Sequence, residues 1–141
     1  MSWQQPWEKT MLNEISNRER FDILVEEFCK EIEIPSAAED VKNHQAFLAN
    51  DYLCKLEFNA SFDPDRAYVF VEAALATKTP ETVGLEARAD EIEDGTLGYI
   101  HPESDRWIYA VVPFSLTETT VDDLSNHVLT AIQGAKNLQP E

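Results

Sequence analysis

RWIYAVVPF, residues 106–114, is apolar or aromatic at eight of its nine positions and rich in the side chains that suit a pleated surface. A run this short and this apolar reads as a strand whose two sides are both greasy. Just before it, LGYIH (97–101) and the turn PESD (102–105) complete a hairpin. Further back the same period of two recurs in YLCKLEFN (52–59) and RAYVFVEAALA (66–76), joined by the turn ASFDPDR. Pro64 presets the backbone angle of that turn, and the flanking aspartates can bond its amides. QAFLA (45–49) is a third, shorter strand ahead of this pair.

Two helices bracket the strands. Ser16 with Glu19 forms a capping box. Phe21, Leu24, Val25, Phe28 and Ile32 then recur at helical spacing, which predicts a helix over 17–33 that Pro35 ends. At the far end Thr120 and Asp123 resemble a second cap ahead of Val121, Leu124, Val128, Ile132 and Ala135. Residues 78–95 are ambiguous. Thr79-Pro80 and the Glu, Ala and Arg content favour a weak helix, while Val83, Leu85, Ala87 and Ala89 alternate like a strand. The order α-β-β-β-(α)-β-β-α implies an α+β fold, an antiparallel sheet of about five strands with helices on one face. Residues 1–16, with Trp3 and Trp7, read as an extension, and 17–141 as one domain.

The strand periods sort the sheet's sides. Cys54, Leu56, Phe58, Val69, Val71, Ala73, Leu75, Ile108, Ala110, Val112 and Phe114 are expected to face the helices. Leu53, Tyr68, Phe70, Trp107, Tyr109 and Val111 then share the opposite face with Lys55, Glu57 and Glu72. An antiparallel sheet normally shows that side to water, and so large an apolar patch marks an interaction surface. Four covers remain open: the weak helix, the N-terminal extension, a second copy, or another protein.

Charge and motifs narrow the function. The chain carries 27 acidic against 11 basic residues, a net charge of −16. Such a field repels phosphate backbones, which argues against nucleic acid as a partner. No apolar run approaches a membrane span, and MSWQQPWEKT lacks a signal pattern, so a cytoplasmic location without membrane attachment is expected. Cys29 and Cys54 sit in apolar runs and read as small buried hydrophobes. His44, His101 and His127 lack ligand spacing, His127 reading as a surface residue. DPDRAYVFVEAA starts like a calcium loop but has Tyr68 where glycine is required and no terminal glutamate. No catalytic constellation, metal site or cofactor is therefore expected, and the sequence does not point to an enzyme.

The helix FDILVEEFCKEIEIP, three strands, a weak middle helix, the RWIYAVVPF hairpin and a final helix together resemble the class I type III secretion chaperones and the YbjN-like proteins of the same fold. The resemblance covers about residues 17–138. It implies a homodimer that holds a segment of a secreted effector on apolar grooves of the first helix and the sheet. On that basis Leu53, Phe70, Trp107, Tyr109 and Val111 are the expected partner surface, with Phe21 and Phe28 on the first helix. Two alternatives stand beside it: a YbjN-like protein with a cytosolic partner unrelated to secretion, and an acidic immunity or antitoxin protein.

Overall fold

Ser16 opens the first helix as its sequence requires. In the computed structural model, which describes residues 15–73, 91–100 and 108–138, its Oγ accepts the Glu19 amide at 3.2 Å. Helix α1 runs Asn17–Glu31 and buries Phe21, Leu24, Val25, Phe28 and Cys29. It stops before Pro35 is reached. Glu33 takes a left-handed conformation (φ 65°), its amide bonds the Lys30 carbonyl, and the Ile34 amide bonds that of Cys29. That is a Schellman closure built without the usual glycine, with Ile34 packed back on the core.

A short 3₁₀ turn, Pro35–Ala37, then leads into helix α2, Ala38–Lys42, an element that the sequence does not announce. Pro35 suits the first position of such a turn, and Val41 anchors α2 in the core. One buried residue in five leaves no period to detect.

Five strands follow: β1 Phe47–Ala49, β2 Tyr52–Glu57, β3 Arg66–Glu72, β4 Gly98–Ile100 and β5 Tyr109–Ser115. They form one antiparallel sheet in the order β1-β2-β3-β5-β4. Asn50 and Asp51, both at positive φ, link β1 to β2 in the two-residue turn whose twist matches a hairpin. Strand β5 is an interior strand and pairs with β3 from Arg66↔Ser115 to Glu72↔Tyr109. Its Pro113 is tolerated because β4 has already ended on that side, where the Pro113 carbonyl accepts the Gly95 amide at 2.9 Å.

Helix α3, Val121–Leu138, packs across β5 and β3 with α1 beside it. Its cap is reciprocal. The Asp123 amide donates to Thr120 Oγ1 at 3.2 Å, and the Thr120 amide donates to Asp123 Oδ2 at 3.1 Å. Gly134 lets α3 approach β4, since a Cβ there would lie 2.7 Å from Leu97, and its carbonyl accepts the Tyr99 hydroxyl. The core sits between this helical layer and the sheet. It holds Cys54, Leu56, Phe58, Val69, Val71, Ala73, Ile108, Ala110, Val112 and Phe114. The α+β architecture and the helix-facing set are therefore those expected, with Leu75 outside the described residues. Also outside them are residues 1–14, most of the ambiguous segment 78–95, the PESD turn and Trp107.

Candidate partner-binding surface

The sheet face turned away from the helices carries a second apolar cluster. Tyr68, Val111 and Ile92 are buried in it, with Phe70, Ile100 and Tyr109 packed around them. Strand alternation explains the membership: Lys55, Phe70, Val111 and Gly98 form one cross-strand row, and Tyr109 with Ile100 another. Four rings run diagonally across the rows. Phe62 lies 5.7 Å from Tyr68, Tyr68 6.3 Å from Phe70, and Phe70 5.9 Å from Tyr109, the first and last pairs edge to face.

Part of this face is already covered. Ile92 lies over Gly98 and beside Val111, held by Arg66, whose Nη1 donates to the Ile92 carbonyl at 2.5 Å. Arg66 is itself fixed by Asp63 (2.7 Å) and reaches Asp94 (3.3 Å), while Asp63 also accepts the Tyr68 hydroxyl at 2.8 Å. Burial pushes the Asp63 carboxyl up, but Arg66, the Tyr68 hydroxyl and the Asp65 amide outweigh it and hold it below its ordinary value. Burial and the nearby Glu72 and Glu57 raise the Tyr109 phenol, so it stays a neutral donor.

A second apolar depression lies on the helical side at the β1 edge. Phe28 and Ile32 of α1, Leu48, Ala49 and Asn50, and Val128, Leu129 and Ile132 of α3 line a groove of about 240 Å³. Leu48 joins the two regions. It is 66% exposed, lines this groove, and pairs directly with Leu53, itself 38% exposed, on the outer face. An apolar track thus runs from the helical groove around strand β1, which is the sheet's edge among the described residues.

The expected partner residues separate into groups. Leu53, Phe70 and Tyr109 share the outer face with part of each surface open, Phe70 and Tyr109 packed on the second cluster and Leu53 opposite Leu48. Val111 shares that face but is fully buried beneath Ile92 and its neighbours. Phe21 is fully enclosed in the core between His44 and Phe58, and Phe28 forms the floor of the helical groove. Trp107 lies outside the described residues. Reading the sequence missed Leu48, Phe62 and Leu129, each exposed and apolar. Pairing of QAFLA with YLCKLE could have placed Leu48 beside Leu53. Phe62 sat in a turn, and Leu129 fell off the α3 stripe.

The remaining chemistry is structural. Burial pushes the Cys54 thiol up to about 12 and raises Cys29 as well, so neither offers a thiolate near neutrality. His44 Nε2 accepts the Phe58 amide at 3.2 Å. His127 is half-buried against Phe114 rather than out in solvent, and burial lowers its pKa although Asp123 and Asp94 oppose this. Among the described residues no group of acidic, His or Cys side chains is placed to hold a metal, and no helix is long and apolar enough to cross a membrane.

No protein-family model matches the sequence, and no curated protein matches it. Among solved structures, the chain is similar to the crystal structure of the Yersinia pestis type III secretion chaperone SycH in complex with a stable fragment of YscM2. Identity is 15%, the match covers 84% of this chain and 99% of that one, and the TM-score is 0.59. The chain has the fold of a class I type III secretion chaperone. The chaperone-like fold accounts for the paired layers described above, one sheet with its helices gathered on one face.

Proposed function

We propose that the protein is a small acidic chaperone-like binder that holds an extended segment of a partner protein. It acts by binding rather than turnover, as a cytoplasmic homodimer. The observation that carries this reading is the apolar track through Leu48, which leads from the helical groove around an edge strand to Leu53, on the same sheet face as Phe70 and Tyr109. An extended polypeptide can follow such a path, gaining main-chain bonds along β1 and side-chain pockets on either side. A SycH-like fold solved with a bound protein fragment supports the choice of partner class. The acidic surface keeps a complex with an apolar seam soluble and disfavours acidic competitors.

The test is capture from the protein's native cell by the wild type and by Leu48→Asp, with light scattering for the mass of each species. We expect the wild type to run as a pair of 16.1 kDa chains and to keep its partner when salt rises from about 0.1 M to about 1 M, because apolar contacts are not screened. Leu48→Asp should lose the partner by about tenfold or more, as truncating or charging an interface anchor does. A partner that Leu48→Asp still holds, and that high salt releases, overturns the reading in favour of recognition by surface carboxylates. A monomer that still captures its partner refutes the homodimer.

A further inference from the structure

The start of helix α1 and the β2–β3 turn are tied together: Asn17 Nδ2 donates to the Pro64 carbonyl at 2.6 Å. The same turn carries Phe62, 50% exposed, with its ring edge-on to Tyr68. Helix α1 therefore begins beside the turn whose Phe62, with Glu57, Asn59, Tyr68 and Phe70, lines a depression on the outer sheet face. We propose that residues 1–14 dock in cis in this aromatic depression through Trp7, with Trp3 beyond it, as a tethered occupant that any partner segment must displace. The contact is intramolecular and holds whether or not the partner reading does.

Three observations select this occupant. Reach is ample: Trp7 precedes Ile15 by eight residues, about 26 Å of extended chain, and the step from helical layer to outer face is roughly 10 Å. The chemistry fits as well, because an indole offers the edge and face that half-covered Phe62 and Phe70 rings lack. Charge is the third. Residues 1–14 carry Glu8 and Glu14 against Lys9, so fifteen of the sixteen net negative charges lie on the rest of the chain. A nearly neutral segment meets little repulsion at a rim that already holds Glu57, whereas a second copy of the domain brings its full charge. Tethering adds an effective concentration in the millimolar range, so even weak docking is populated.

The full-length chain with Trp107→Phe reports Trp3 and Trp7 by fluorescence. We expect blue-shifted emission that is shielded from acrylamide and independent of protein concentration. Adding Phe62→Ser should raise quenching about twofold or more with unchanged far-ultraviolet dichroism, the change from a mostly docked to a mostly free population. In a second measurement Glu8→Cys is paired with Glu57→Cys at the depression, or with Leu129→Cys in the helical groove. Cys29 and Cys54 are buried and do not compete. The first pair should close a disulfide within one chain under mild oxidation and the second should not. Equal quenching with and without Phe62→Ser overturns the proposal, as does protection that grows with concentration, which points to a second copy. Preferential closure at Leu129→Cys overturns it in favour of the helical groove. No partner is present in these experiments, so their failure is distinct from failure of partner capture.

Discussion

Gly98 lies opposite Val111, and a Cβ on it would stand 2.3 Å from Ile92 Cδ1 and 2.7 Å from Cγ1. The terminal methyl alone could swing aside, but Cγ1 is nearer the backbone, and Arg66 holds that backbone through the Ile92 carbonyl. Gly98→Ala therefore lifts Ile92 off the sheet. We expect a loss of about 1–3 kcal/mol in urea unfolding, the usual cost of overpacking, with more dye binding as Val111 becomes accessible. An unchanged midpoint with unchanged dye binding would show that Ile92 does not cover this face in solution. The sequence contained half of this arrangement. Alternation in RWIYAVVPF put Val111 on the outer face, but nothing in DEIEDG announced that Ile92 returns to cover it, since the contact depends on a loop tied down by Arg66.

Elements were most legible where period and cap agreed. Helix α1 kept four of its five spaced apolar residues, with Ile32 falling at its C-cap, and its serine cap, and α3 kept its threonine cap in reciprocal form. What escaped notice lacked a repeating signal: α2 buries a single side chain, and α1 ends on Glu33 in a conformation that normally advertises itself with glycine. The α3 cap makes a measurable claim. Thr120→Ala removes the acceptor of the Asp123 amide and should cost about 1 kcal/mol, read as a fall of a few degrees in melting temperature near neutral pH. The Thr120 amide and hydroxyl also hold the Asp123 carboxyl below its ordinary value of 3.8. A carboxylate with a depressed folded value stabilises above its unfolded value and loses that contribution as pH falls through the folded one. The gap between wild type and Thr120→Ala should therefore narrow on acidification below about pH 4, and a gap constant across that range would show that the Thr120 hydroxyl does not act on the carboxylate, which the Thr120 amide holds in both proteins.

At the scale of the whole molecule, two layers and a charge excess have to coexist. The antiparallel order made the layers readable, because β2 alternates and so reports which side is covered, while β5, buried along its whole interior, signalled that both of its sides are covered. The track around Leu48 was not readable, because it assembles from α1, β1 and α3, which are far apart in sequence. Charge was plain from composition, and its consequence is collective. The described ion pairs, Arg18–Asp22, Lys42 with Glu26 and Glu39, and Arg66 with Asp63 and Asp94, engage three of the seven basic residues among those described. All but the Asp63–Arg66 pair have at least one well-exposed partner, and exposed pairs contribute only about 0–1 kcal/mol each. Self-repulsion among the remaining carboxylates opposes the compact state more than these pairs favour it. Raising salt from about 0.01 M to about 0.5 M shrinks the screening length from about 30 Å to less than about 8 Å and relieves that repulsion. The melting temperature should rise by a few degrees, with sodium chloride and with potassium chloride alike, since the effect is one of ionic strength. A fall instead would mean that paired charges hold the fold together and that the acidic excess is already accommodated by local partners.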